Sequence, residues 1–147
     1  MPRFAAWLVA FVFATGCAYA QSATLPNVGA DWIFVGSATD WNGRVAQVYY
    51  ANDYAITPRD LLVRIALVYS APQSDPNANV VGSYWGQYFV DRISCDAYSY
   101  NWPVNPIYFD DRGTVLPLKH DPGGPEQHAE RIPVGSVVEA VFRRACQ

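Results

Sequence analysis

Positive charge is scarce in this sequence: 10 Lys and Arg stand against 13 Asp and Glu in 147 residues, for a formal net charge of -3, and only Arg143 and Arg144 are adjacent. Neutralising phosphates takes clustered cations, so no nucleic-acid partner is expected. Low-complexity tracts are missing, and 51% of the residues are hydrophobic. That is enough apolar material to offset the entropy of ordering a backbone, which excludes a disordered or collagen-like chain. The longest apolar run near the start, residues 4–14, is about half of the ~20 residues that a membrane-spanning helix needs. Signatures of catalysis are missing too, with no nucleophile elbow, P-loop, His-Glu-x-x-His helix or dinucleotide fingerprint. No cofactor and no enzymatic activity are expected. With three cysteines and no Cys-x-x-Cys, neither a redox enzyme nor a clustered zinc site is indicated.

The short apolar run has its own meaning. Arg3 precedes it, and Ala18-Tyr19-Ala20 places small residues just before Gln21, so residues 1–20 read as a secretory signal peptide and residues 21–147 as a single domain. A second cut competes with this one. Ala14-Thr15-Gly16-Cys17 resembles a lipobox, in which Cys17 becomes the lipidated first residue, although Ala14 stands where Leu or Val is usual. Lipidation would tie the protein to a membrane, each buried CH2 group contributing ~0.8 kcal/mol. The cut at Gln21 would leave it without an anchor. Either cut exports the chain, to the periplasm, outer membrane or cell surface of a bacterium. In that oxidising setting Cys95 and Cys146, the cysteines left in the domain, pair with each other.

Segments 32–37, 44–51, 61–70, 83–91, 94–100, 107–110 and 114–118 are rich in Val, Ile, Tyr, Phe and Trp and are separated by Gly, Pro, Asn and Asp, the pattern of antiparallel strands. Within 61–69, Leu61, Val63, Ile65 and Leu67 share one face and Arg64 takes the other. Asp40-Trp41-Asn42-Gly43 and Asp110-Asp111-Arg112-Gly113 supply the Asp and Gly of tight reversals. Residues 71–79 and 120–131 read as long loops. Ser136-Val137-Val138-Glu139 then fits a capping box, with the Glu139 carboxylate reaching back to the Ser136 N–H. Val138, Val141, Phe142 and Ala145 recur at helical spacing up to Cys146. The expected fold is α+β: a single antiparallel β-sheet of about six strands with a C-terminal helix tethered by the disulfide.

Trp32, the stretch Tyr50-Ala51-Asn52-Asp53-Tyr54-Ala55-Ile56, the strand 63–68, Val90-Asp91-Arg92-Ile93-Ser94-Cys95, the hairpin residues Tyr108, Gly113 and Val115, and the closing Ile132-Pro133-Val134-Gly135-Ser136 through Cys146 form a series of motifs. Through them the chain, from Asp31 to Cys146, resembles the bacterial surface-adhesin protein E-like family. Asn52 and Ala55 replace the family's Asp and Ser, a Trp frequent in the 63–68 strand is missing, and Val134 separates the Pro from the Gly-Ser pair. The resemblance implies a small exported domain, often lipid-anchored, that binds host matrix or serum proteins. It carries over no binding residue, because the matching motifs are scaffold.

Two clusters are candidate sites. Tyr98, Tyr100 and Trp102 share one parity and form either part of the core or an aromatic face for a protein partner or sugar, with Tyr84, Trp85 and Tyr88 as a second such group. His120, Asp121, Glu126, His128 and Glu130 fall in one loop, and His120 and His128 with the carboxylates are a candidate divalent-metal site, against the simpler reading of a solvated polar loop. Asp110 and Asp111 read as turn residues rather than an acid-base pair. The expected role is non-catalytic binding of a protein ligand at the cell envelope. Its rivals are a small periplasmic metal-binding protein or enzyme built on the 120–130 loop, and an envelope-assembly or inhibitor module.

Overall fold

The computed structural model describes residues 23–27, 31–101, 105–121 and 128–147, without the side chains of Asp53 and Tyr54. The signal segment with Cys17, as well as Trp102 and Glu126, lies outside the described residues. Among the described residues seven strands form one antiparallel sheet: β1 (Ile33–Thr39), β2 (Val45–Thr57), β3 (Asp60–Gln73), β4 (Tyr84–Ser94), β5 (Ser99–Asn101), β6 (Ile107–Phe109) and β7 (Ala129–Arg131). The helix α1 (Val137–Ala145) follows them. The sheet order is β1-β2-β3-β4-β5-β7, with β6 also pairing to β4.

Three details correct the sequence reading. The sheet has seven strands instead of about six. The extra one is β7, which falls in the segment read as loop. Its residues Ala129, Glu130 and Arg131 are all exposed, so an edge strand held by backbone pairing to β5 left no hydrophobic alternation to read. Segment 94–100 is a turn through residues 95–98 before the short β5, and segment 114–118 contributes only an isolated bridge from Val115 to Phe109.

The alternation in β3 builds the main core as expected. Val63, Ile65, Leu67 and Tyr69 project toward the helix side, where they meet Val48, Tyr50, Phe89, Ile93, Val137 and Val141. The even positions form a smaller second core, because Ala66 and Val68 are apolar as well. They pack with Tyr88, Phe109 and Ala23, with Trp32 and Trp85 partly buried at the margin. The segment 23–27 lies along this face, and the Trp32 indole donates to the Pro26 carbonyl at 3.1 Å. Gly86 permits the close approach: a Cβ there would sit 2.1 Å from Phe109 Cζ and 2.6 Å from the Leu67 carbonyl oxygen.

Helix α1 has nine residues, short for an independent helix, and three devices hold it. The Ser136 hydroxyl accepts from the Glu139 N–H at 3.1 Å. The Glu139 carboxylate reaches back one residue further than the capping box predicts, to the Gly135 N–H at 2.6 Å, because the Ser136 N–H is already donating to the Pro133 carbonyl. The Cys95–Cys146 disulfide joins the end of the helix to the end of β4, with a Cα–Cα distance of 5.6 Å. Tyr98 forms a further lock. Its backbone is left-handed, φ 50°, a conformation costing a bulky residue on the order of 1 kcal/mol. Its ring packs 4.7 Å from Phe142, its hydroxyl donates to Glu139 at 2.9 Å, and its carbonyl accepts from the Ile132 N–H at 3.2 Å.

Candidate functional site: an exposed tryptophan between two hollows

The β1–β2 reversal is the most heavily braced turn of the described structure. Asp40 Oδ1 accepts from the backbone N–H groups of Asn42 and Arg44, each at 2.9 Å, and Gly43 completes the turn at φ 77°. The 110–113 turn repeats this pattern at the surface, with Asp110 Oδ1 accepting from the Arg112 and Thr114 N–H groups. At Asp40 the second oxygen is buried and connects the turn to the core. Oδ2 accepts from Arg44 Nε and Nη2, each at 2.8 Å, and from the Tyr69 hydroxyl at 2.7 Å. Arg44 also donates to the Tyr84 hydroxyl at 2.8 Å, and Gln87 donates to the Tyr69 hydroxyl at 3.0 Å.

The electrostatics follow from this arrangement. Burial pushes the Asp40 pKa up, but the Arg44 N–H, the Tyr69 hydroxyl and the Arg44 guanidinium together outweigh it and hold the carboxyl below its usual range. Burial first, and then the anionic Asp40 acceptor, push Tyr69 far above an ordinary tyrosine, so it stays a hydroxyl donor. The result is a fully satisfied, partly buried polar network that holds the turn in one conformation.

What the turn displays is Trp41, 49% exposed, its ring centroid 5.9 Å from that of Phe89. Trp41 borders two hollows. The first, about 320 Å³, lies between the turn and the segment leading into α1, with Phe89, Tyr100, Val134 and Val138 among its lining residues. Val134, 87% exposed, stands at its margin. The second, about 250 Å³, lies between Trp41 and the β3–β4 connection and is lined by Asn42, Asp75, Asn77 and Tyr108. The first can receive an apolar group against aromatic walls, and the second offers amide and carboxylate groups beside the indole.

The structure places the sequence candidates as follows. Tyr100 is buried and reaches the first hollow, while Tyr98 is half-buried beneath α1, so these two do not form an exposed ridge. Of the second aromatic group, Tyr84 is in the main core and Trp85 and Tyr88 belong to the opposite face. His120 and His128 are both exposed. The His120 backbone exchanges hydrogen bonds with the Asn79 side chain at 2.9 and 3.1 Å, and His128 leads into β7. Among the described residues no group of three His, Cys, Asp or Glu side chains gathers as metal ligands do.

Sequence reasoning missed Trp41 and Asp91. A tryptophan at the tip of an Asp-x-Asn-Gly reversal has no sheet face to bury into, and that signal was available. Asp91 lies on the core face of β4 between Phe89 and Ile93, is 2% exposed, and neither carboxylate oxygen has a hydrogen-bond partner among the described residues. Burial pushes its pKa up to about 8. The nearby backbone N–H groups of Arg92 and Asn101 offset only part of that. Its parity with the core residues was also legible in the sequence.

Comparison with protein-family models, with curated proteins and with solved structures gives no match.

Proposed function

We propose that this is an exported protein of the bacterial cell envelope with a non-catalytic binding role, adhesin-like in the sense of the surface-adhesin protein E-like resemblance, and that its contact surface is the apolar hollow flanked by Trp41 and Val134. The observation that carries the reading is the pairing of two exposed apolar side chains at a hollow with aromatic walls, one of them, Trp41, on a turn whose conformation is already locked. An exposed anchor held in place before binding loses little entropy on association, as interface hot spots require. The fit is to an apolar side chain of a protein ligand. Export rests on the signal-like start of the sequence, and the disulfide is compatible with it.

Two measurements test this. Intact mass of the protein recovered from the envelope is expected to show a chain beginning at lipidated Cys17 or at Gln21, and a chain still beginning at Met1 overturns export. A photo-crosslinking residue in place of Val134 is expected to trap a discrete protein adduct in intact cells, whereas one in place of Arg112, on the 110–113 turn and outside the lining of the hollow, is not. Equal labelling from both positions, or none from 134, overturns the assignment of the surface.

A further inference from the structure

The second hollow shares Trp41 with the first but has different chemistry, and the protein-binding reading makes no use of it. Its lining combines the exposed indole with the small apolar surfaces of Ala78 and Pro106, and it sets the amides of Asn42 and Asn77 and the carboxylate of Asp75 alongside. We infer that this groove is a binding subsite for a neutral saccharide ring.

The argument is one of matching surfaces. A sugar ring has an apolar C–H face and a rim of hydroxyls, each both donor and acceptor. An aromatic plate receives the first, and the quadrupole of the indole face favours polarised C–H groups. Side-chain amides, which donate and accept, and a carboxylate, which accepts, complement the second. A purely apolar ligand would desolvate Asp75 Oδ2 and the side-chain amides of Asn42 and Asn77 and offer them no hydrogen bonds, which is costly. Asn42 Nδ2 and Asp75 Oδ2 already face each other across the groove at 3.5 Å, a long contact that ligand hydroxyls can replace with two shorter ones.

Both walls are fixed before any ligand arrives. The Asp40 network holds the Trp41 turn. Opposite, Asp75 Oδ1 accepts from the Asn77 N–H at 2.9 Å, and the Asp75 carbonyl accepts from the Ala78 N–H at 3.1 Å. Lys119 Nζ donates to the Pro76 and Ala78 carbonyls at 3.2 and 2.8 Å. Little ordering entropy is then lost on binding. The same contacts set the charge preference. The Arg44 guanidinium is committed to Asp40 and the Lys119 ammonium to the loop carbonyls, while Asp75 brings a negative charge to the lining. Sugars bearing a carboxylate are disfavoured.

The test is a titration of the ¹⁵N-labelled mature chain with cellotriose, with the N-acetylglucosamine trimer and with sialyllactose, following the Trp41 indole N–H and the side-chain amides of Asn42 and Asn77. At least one of the two neutral trisaccharides is expected to shift these signals saturably, with sialyllactose weaker. Trp41→Ala is expected to weaken binding about five- to tenfold. Asn77→Ala, whose side chain is at the surface, is expected to weaken it about threefold while leaving the rest of the spectrum unchanged. Absence of shifts with both neutral sugars overturns the inference, as does equal binding of sialyllactose or retention of full affinity in both variants. The inference stands apart from the protein-binding reading, because the chain carrying the photo-crosslinking residue at position 134 is expected to leave the saccharide titration unchanged, and Asn77→Ala, which weakens the sugar, is expected to leave crosslinking from position 134 unchanged.

Discussion

Asp91 is the residue whose chemistry is most at odds with its surroundings. A carboxyl held on the core face of β4, with both oxygens unpartnered, remains protonated in the folded state up to about pH 8 while the unfolded chain ionises near the ordinary value of 3.8. Above pH 4 the unfolded state therefore binds fewer protons than the folded one, and stability falls as pH rises until the folded-state group ionises too. The upper bound on this loss is roughly 6 kcal/mol. Asp91→Asn removes the titration but leaves a buried amide, whose own desolvation costs about 1–3 kcal/mol. Because that cost does not change with pH and the protonated acid carries a similar one, the variant is expected to match the wild type at pH 4 and to exceed it at pH 8 by several kcal/mol, up to that bound, in urea unfolding. Parallel curves for the two proteins over that range would show that Asp91 finds a partner in solution.

At the scale of elements, the helix and the disulfide depend on each other. Nine residues of helix are marginal alone, and the cap at Ser136, the Tyr98–Glu139 contact and the Cys95–Cys146 bridge hold its start, middle and end. Closing a loop across 51 positions stabilises by about 2–4 kcal/mol. Replacing both cysteines by Ser is expected to lower Tm on the order of 10 °C and to increase amide exchange in residues 137–145 first. Uniform exchange across sheet and helix would mean that the helix is held by packing alone. These elements were legible in the sequence where periodicity was strong, in β3, β4 and α1, and where turn chemistry was explicit, at Gly43 and Gly113. They were illegible where backbone pairing alone decides, as in β7, and where the chain reverses through a left-handed Tyr98, a residue type that carries no turn signal.

For the whole molecule, opposing titrations set a pH window. Glu139 is held down to about 2, first by the Gly135 N–H, then by Arg143 and Tyr98, and Asp40 is also lowered. Their contribution is present above the ordinary carboxyl range and is lost as pH falls through their folded-state values, whereas Asp91 removes stability as pH rises from about 4 to 8. A thermal-midpoint profile is expected to peak near about pH 5, with Glu139→Gln flattening the acid side and Asp91→Asn the alkaline side. A plateau from pH 4 to 8 in the wild type would contradict this. By itself the sequence determined the sheet-and-helix class, the inward face of β3, the two Asp-Gly turns and the cysteine pair. All of these are local patterns of period, turn chemistry or count. Only the tertiary structure decided that Tyr98 and Tyr100 turn inward and that Trp41 stands exposed between two hollows. Sheet order and the placement of α1 determine which side chains meet across distant segments, and no local pattern encodes that meeting.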